Sequence, residues 1–152
     1  MKSVLGRSSL VWLLIMCALI GVAVSAISLN DHYSNTKSFC TISEKINCDV
    51  VNRGPYSEIL GVPIALLGII GYTLFGIFVF FHKSLTKKLA FEKKDYWFYL
   101  SLMTGSMLSF ALYLTALEIF VIHAFCILCV ISQGTVLIMA LLTWWAWHTE
   151  MA

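Results

Sequence analysis

Four long apolar stretches alternate with short polar segments along the chain, at residues 10–29, 59–81, 97–122 and 125–147. None of the four contains Lys or Arg, and Glu118 is the only carboxylate within them. A helix that crosses a bilayer needs about 20 predominantly apolar residues, so each stretch has the required length. The pattern predicts an all-α membrane protein. We expect a single domain over residues 1–152, a four-transmembrane-helix bundle with an outer-face loop between helices 1 and 2.

The first stretch has a second interpretation. Lys2 and Arg7 precede it, and the segment "VSAIS" near its end resembles a signal-peptidase cleavage site. The apolar run is longer than the roughly 7–15 residues of a signal-peptide core, which favours a retained helix. Removal of the stretch would leave the orientation of the other three helices unchanged.

Composition agrees with a lipid environment and excludes several functions. The chain is 60% hydrophobic and 12% charged, whereas soluble domains are about 25% charged. A net charge of +2 does not favour nucleic-acid binding. Neither a G-x-G-x-x-G motif after a strand nor a C-x-x-C-H motif occurs, so nothing indicates a nucleotide, flavin or haem.

Basic residues predict the orientation. The N-terminus carries Lys2 and Arg7, and the segment "HKSLTKKLAFEKKD" between the second and third helices carries five lysines. The first loop carries only Lys37, Lys45 and Arg53. Because Lys and Arg accumulate on the cytoplasmic side, both termini are predicted to be cytoplasmic. The first loop and the corner between the last two helices would face outward from the cell (inner) membrane, on the periplasmic or extracytoplasmic side.

Four of the five cysteines fall on this outer side, where disulfides persist. Cys40 and Cys48 lie in the first loop, and Cys126 and Cys129 open the last helix. An i, i+3 pair in the first turn of a helix shares one face, and the helix dipole there favours a thiolate. A thiolate is the nucleophile of disulfide exchange. The two pairs therefore predict redox-active thiols, with structural disulfides and a zinc site as the alternatives.

Other residues change this picture little. A metal site needs further ligands, and His123 is better placed to cap the helix corner, so we expect no metal. Cys17, inside the first helix, is predicted to be a small packing residue. A C-x-x-C pair at the membrane needs an electron acceptor, and a lipid-soluble quinone is the natural one.

The order of these motifs resembles a known family. The segments "FC", "NCDVV", "YSEILGVPIALLGIIGYTL" and "ALYLTALEIFVIHAFCILCVIS" are similar to the vitamin K epoxide reductase family, in its prokaryotic disulfide-forming branch without a fused thioredoxin domain. The resemblance implies a four-helix bundle around a quinone, either ubiquinone or menaquinone. It implies that Cys126 and Cys129 are the active pair, with Cys129 nearest the quinone. Cys40 and Cys48 would be the shuttle pair that meets a separate thioredoxin-fold protein.

The resemblance also orders the electron transfer. The partner's thiolate would attack the Cys40–Cys48 disulfide, and a freed loop thiol would attack Cys126, expected to be the more exposed sulfur of its pair. Cys129 would then pass electrons to the quinone. A thiol-driven quinone or vitamin K epoxide reductase and a non-enzymatic, disulfide-stapled scaffold remain alternatives.

Several positions depart from the family pattern. The animal enzymes place an Asn near position 64 and a Tyr near position 133, which bind the vitamin K head group; here these are Ile64 and Gln133, which disfavours epoxide reduction. Where the family often has a serine, this chain has Gly54, so Asn52 and Ser57 become the candidate polar contacts.

Glu118 has two interpretations. A carboxylate within a membrane span is expensive, and its presence indicates a functional site by default. We expect either proton handling or a structural role at the corner between the last two helices, where it could reach interfacial water. The loop charges Arg53 and Glu58 are expected to be solvated.

Overall fold

The computed structural model describes residues 7–82 and 93–151. Its elements, in chain order, are α1 (Arg7–Tyr33), α2 (Cys48–Arg53), β1 (Glu58–Ile59), β2 (Val62–Pro63), α3 (Ile64–Phe80), α4 (Lys93–Leu117) and α5 (Ile127–Met151). A short π-helical turn, Glu118–Ile122, extends α4. The predicted orientation depends in part on Lys2, Lys83, Lys87 and Lys88, which lie outside the described residues.

Three helical segments are long and apolar enough to cross a membrane: Ser8–Tyr33, Asp95–Ile122 and Ile127–Thr149. They confirm the prediction of a helical membrane protein. The fourth apolar helix, α3, has 17 residues, which span about 26 Å at 1.5 Å per residue. The described chain therefore has three helices of full spanning length and a shorter fourth.

The second predicted helix starts later than expected. The sequence predicted a helix from residue 59, but β1 and β2 form an antiparallel hairpin there, and α3 begins at Ile64. Leu60 and Gly61 form the turn with φ values of 53° and 79°, the left-handed pair that closes two-residue hairpins. Pro63 lies immediately before the helix. This position suits proline, which has no backbone N–H group to donate to a ladder or helix hydrogen bond.

The helices do not pack evenly around the bundle. α1 packs against α3 and α5, and α4 packs against α5, whereas α3 and α4 make little contact. Leu14, Phe75 and Met139 are fully buried at the centre, and Cys17 belongs to the same core, as expected for a packing residue. The bundle is left open between α3 and α4.

Small residues allow α1 and α3 to approach closely. A Cβ atom added at Gly21 would lie 2.3 Å from the Tyr72 ring, and one at Gly68 would lie 2.7 Å from Ser25 Oγ. Tyr72 is 2% exposed, and its hydroxyl donates to the Ser132 carbonyl at 3.0 Å. The Tyr72 ring is thus fixed in position by its contact with Gly21 and by its hydrogen bond to Ser132. Gly61, by contrast, lies in the hairpin turn and not between helices.

This contact generates a stability prediction. Gly21→Ala should destabilise the protein by about 1–3 kcal/mol, the usual cost of overpacking, because the new methyl group meets a ring that is hydrogen-bonded in place. Thermal unfolding in detergent measures the effect. Gly105→Ala is the matched control, since a Cβ there meets nothing within 4 Å. Equal melting temperatures for the two variants would contradict the close approach.

Candidate functional site

The loop between α1 and α3 is fixed to the corner before α5 by backbone pairing. The N–H of Phe125 donates to the Lys45 carbonyl at 2.8 Å, and the N–H of Asn47 donates to the Phe125 carbonyl at 3.0 Å. Together these bonds form a parallel bridge. Because each strand of the bridge is followed directly by a cysteine, the pairing brings Cys48 next to Cys126.

The loop cysteines form a disulfide next to a short helix. The Asn47 side chain accepts a hydrogen bond from the N–H of Val50 at 3.1 Å and so caps α2. Cys48 is the first residue of α2 and is bonded to Cys40, with Cα atoms 5.7 Å apart. Both cysteines are buried. The capped helix therefore fixes one end of the disulfide, and the bridge fixes its distance from α5.

Three sulfur atoms meet at this point. The Sγ atoms of Cys40, Cys48 and Cys126 all lie within 4.8 Å of one another. Cys126 and Cys129 are free thiols. The expectation that Cys126 is the more exposed of its pair is wrong: the loop covers it completely, and Cys129 is partly exposed. Cys126 is therefore distinguished from Cys129 by its short distance to the loop sulfurs and not by exposure.

The same cluster could in principle bind a soft metal through three thiolates. In this structure two of the three sulfurs are bonded to each other, which leaves one thiol as a ligand. The arrangement thus suits disulfide exchange, because a thiol lies beside a disulfide.

Cys126 occupies the cap position of α5. The helix begins at Ile127, so Cys129 lies in the first turn and Cys126 just before it, not within the turn as predicted. The Cys129 thiol and the backbone N–H groups of Cys129 and Leu128 stabilise the ionised form of Cys126 and lower its pKa. They outweigh burial and the Glu118 carboxylate, which both raise it. A larger fraction of Cys126 is therefore the nucleophilic thiolate.

Glu118 points toward the sulfurs. It begins the π-helical turn, which ends at His123 in the left-handed region with φ 55°. Glu118 is 4% exposed, and its Oε2 accepts from the Cys126 N–H at 3.4 Å. Its carboxyl group and the Cys129 thiol interact electrostatically and line the same cavity. Glu118 therefore contacts both cysteines instead of reaching interfacial water.

The two predicted polar neighbours are placed differently. Asn52 is buried, and its Nδ2 lies 3.9 Å from the Cys126 sulfur as a donor, while its Oδ1 accepts from Ser28 Oγ at 2.9 Å. The Ser57 hydroxyl donates to the Gly54 carbonyl at 2.7 Å. Asn52 thus contacts the cysteine machinery directly, and Ser57 stabilises the loop.

A cavity of about 200 Å³ lies between α1, α3, α4 and α5, beside the gap left by α3 and α4. Its wall is mostly apolar and includes Cys129, with Asn52, Ser57 and Glu118 at the end nearest the loop. Apolar walls with a few convergent polar groups are typical of sites for small organic molecules. These residues fit a quinone, whose ring and tail are apolar and whose two oxygens accept hydrogen bonds.

Arg53 is not the solvated charge that the sequence suggested. Its Nε donates to the Asp31 carbonyl at 2.8 Å, its Nη2 donates to the Thr36 carbonyl, and it forms an ion pair with Asp49 at 3.1 Å. The i, i+4 spacing of Asp49 and Arg53 could have indicated this pair. Arg53 therefore connects the end of α1 to the disulfide loop.

Comparison with known proteins agrees with this geometry. A family model described as the vitamin K epoxide reductase family matches residues 12–144. The chain belongs to this family. No individual curated protein matches the sequence significantly. The matched range contains all five cysteines and the cavity wall, and membership in the vitamin K epoxide reductase family indicates a thiol–disulfide and quinone oxidoreductase.

Asp49 should make the loop sensitive to acid. Desolvation opposes its ionisation, but hydrogen bonds from Thr41 and Ser38 and the charges of Arg53 and Lys37 outweigh it and lower the Asp49 pKa. Because folding lowers the pKa of Asp49, the ionised carboxylate stabilises the folded loop at pH values above the ordinary pKa of about 3.9. This stabilisation is lost as the pH falls from that value through the lowered pKa.

The corresponding measurement is the rate at which a phosphine reduces the Cys40–Cys48 disulfide. At pH 6 we expect faster reduction in Asp49→Asn than in wild type, because the loop is less firmly held. As the pH falls below the ordinary value of about 3.9 and through the lowered Asp49 pKa, the two rates should converge, because the wild-type carboxylate becomes protonated. Comparing both proteins at each pH corrects for the phosphine's own titration, and a constant ratio would contradict the assignment.

Proposed function

We propose that the chain is a protein dithiol:quinone oxidoreductase that forms disulfides outside the cytoplasm. It reoxidises a separate thioredoxin-fold protein and passes the electrons through Cys40 and Cys48, then Cys126 and Cys129, to ubiquinone or menaquinone in the membrane. The observation that carries the proposal is the group of three sulfurs within 4.8 Å, together with Cys129 in the wall of the adjacent cavity.

The partner would first meet the loop disulfide. Its thiolate attacks one sulfur of the Cys40–Cys48 bond, and the mixed disulfide resolves to leave two reduced loop thiols. Both loop sulfurs are buried, but Phe39 and Ile42 beside Cys40 are about 70% exposed. Exposed apolar side chains next to a reactive disulfide support docking of a protein partner that displaces the loop as it binds.

The inner transfer follows from distance. When Cys126 and Cys129 are oxidised, a loop thiol attacks Cys126, since Cys126 lies against the loop sulfurs. The loop disulfide re-forms, and Cys129 leaves as a thiolate at the cavity wall. Re-formation of the Cys126–Cys129 bond then releases two electrons. A bound quinone would supply the oxidising power by accepting two electrons and two protons.

Two polar residues assist this chemistry in the proposal. Glu118 interacts electrostatically with the Cys129 thiol and is buried, so it can accept the thiol proton where water is excluded. Asn52 Nδ2 faces the Cys126 sulfur and would stabilise its thiolate. The ion pairs of the described residues are His32–Glu58 and Arg53–Asp49, which leaves Glu118 without a cationic partner in that part of the chain.

We place the protein in the cell membrane with four spans, both termini cytoplasmic and the cysteine pairs outside. The distribution of lysine and arginine supports this orientation, as does the presence of a disulfide in the loop. Epoxide reduction receives less support: Ile64 offers no hydrogen bond to the cavity, and the Gln133 amide already donates to the Ala111 carbonyl at 2.8 Å.

The first test is quinone reduction followed by absorbance. Purified protein in detergent, given a reduced thioredoxin-fold dithiol and a short-chain quinone, should turn over. Cys126→Ala and Cys129→Ala should fall to background, because either change removes the inner disulfide. Cys17→Ala is the matched control and should retain wild-type turnover. Wild-type protein that reduces neither quinone type would refute the proposal.

The second test concerns the order of the relay. Cys40→Ala and Cys48→Ala should lose turnover with the protein donor but retain part of it with a small dithiol, which can reach Cys126 once the loop is no longer closed by its disulfide. Initial rates with the two donors, compared for each variant, measure the difference. Equal loss with both donors would show that the loop pair does not act before the inner pair.

A further inference from the structure

A histidine and a glutamate from different elements meet at the loop end of the cavity. His32, in the last turn of α1, lines the cavity. Its Nε2 lies 3.1 Å from Glu58 Oε1, and its Nδ1 is hydrogen-bonded to the backbone carbonyl of Asn52. The Glu58 side chain is 46% exposed and that of His32 is 11% exposed. The pair therefore reaches from the protein surface to the cavity wall.

Both contacts of the imidazole are with hydrogen-bond acceptors. A carbonyl oxygen accepts only, as does an ionised carboxylate, and a neutral imidazole has a single N–H group. Both bonds form together only when the pair holds an additional proton, on the His32 ring or on the Glu58 carboxyl group. The two side chains thus hold one exchangeable proton between them, with one end of the pair in contact with water.

The relay described above has a use for such a proton. Reduction of a quinone to a quinol takes up two electrons and two protons. The inner pair supplies two electrons when its sulfur–sulfur bond forms. If Cys126 starts as a thiolate, as its interactions with Leu128 and Cys129 favour, the pair supplies only the Cys129 proton. The second proton has to come from the aqueous side.

We propose that His32 and Glu58 form a proton relay from the aqueous surface to the quinone cavity. Glu58 exchanges protons with water and with Nε2 of His32, and the imidazole, which lines the cavity, releases the Nδ1 proton that it otherwise shares with the Asn52 carbonyl. After the transfer the imidazole carries its proton on Nε2, so the pair is reset when Glu58 is reprotonated from water and the ring reorients and regains a proton on Nδ1. This inference rests on the proposed function, because it assumes that a quinone is reduced in the cavity.

Few other charged groups surround His32. Arg53 on α2 is directed to the Asp31 carbonyl. Neither ring nitrogen of His32 bonds to groups other than Asn52 and Glu58 among the described hydrogen bonds. The Tyr33 ring lies edge-on at 4.9 Å, and the neighbouring Asp31 carboxylate accepts from Ser38 Oγ. The cavity wall also carries the titratable side chains of Tyr56, Tyr72, Glu118 and Cys129. The relay is therefore assigned to the His32–Glu58 pair.

The decisive variant is His32→Asn. An asparagine amide can still donate to the Asn52 carbonyl but cannot transfer a proton, so the end of α1 should stay in place. In a single turnover of pre-reduced protein, quinone reduction should slow about 100-fold, within the range of general acid–base catalysis. Imidazole added to the buffer should restore part of the rate. Disulfide exchange between the loop pair and the protein partner, measured without quinone, should be unchanged.

A second readout does not depend on quinone. Nitrogen-15 NMR of labelled histidine, assigned by its loss in His32→Asn, reports the protons on each ring nitrogen. Because both ring nitrogens face hydrogen-bond acceptors, we expect a proton on each of them in wild type and on only one in Glu58→Gln. A carboxyl group that carries the shared proton itself would instead appear in the infrared spectrum and disappear in Glu58→Gln, which also supports the relay.

The contrary outcomes are distinct. Wild-type rates for His32→Asn over the whole pH range would overturn the relay. So would slow quinone reduction that imidazole does not restore and that is accompanied by slow disulfide exchange, because that combination indicates a purely structural role. Failure of the proposed function would appear differently, as wild-type protein that exchanges disulfides but reduces no quinone.

Discussion

The parallel bridge between the loop and the residue before the C-x-x-C motif is the constraint on which the site depends. Two backbone hydrogen bonds, both involving Phe125, join segments that are far apart in sequence. They fix the register that places Cys48 beside Cys126. Because both bonds are between backbone groups, this register does not depend on the side chains of the bridge residues. The cap of α2, the ion pair of Arg53 and the turn before α3 then hold the remainder of the loop over the bundle.

The uneven packing of the helices provides the other half of the site. α1 and α3 approach closely because Gly21 accommodates the Tyr72 ring, while α3 and α4 scarcely touch. Close packing leaves no space between α1 and α3, whereas a cavity remains beside the gap between α3 and α4. Cys129 lines this cavity. The two cysteines of one motif thus serve different environments: Cys126 faces the loop sulfurs, and Cys129 faces an apolar chamber.

The sequence predicted the helical membrane class and the motifs that identify the family, because apolar length and cysteine order are local properties. It did not predict the hairpin before α3, since residues 59–63 are as apolar as the helix that follows, and the left-handed turn at Leu60 has no clear signal. The burial of Cys126 and the inward position of Glu118 depend on how the loop is paired with a distant corner. Single-residue patterns do not report such pairing. The contacts of Arg53 with Asp31 and of His32 with Asn52 also join residues distant in sequence, whereas the Arg53–Asp49 pair is local and its i, i+4 spacing could have indicated it.

The cap position of Cys126 links helix formation to oxidation state. As a free thiolate, the sulfur is stabilised by the N–H groups of Leu128 and Cys129, which the start of α5 would otherwise leave without acceptors. Once bonded to a second sulfur it is a much weaker acceptor, so the helix end loses stabilisation whenever the pair is oxidised. A dithiol whose reduced form is selectively stabilised is a strong oxidant. In the proposed relay, the first turn of one helix would thereby raise the tendency of this pair to take electrons from the loop thiols.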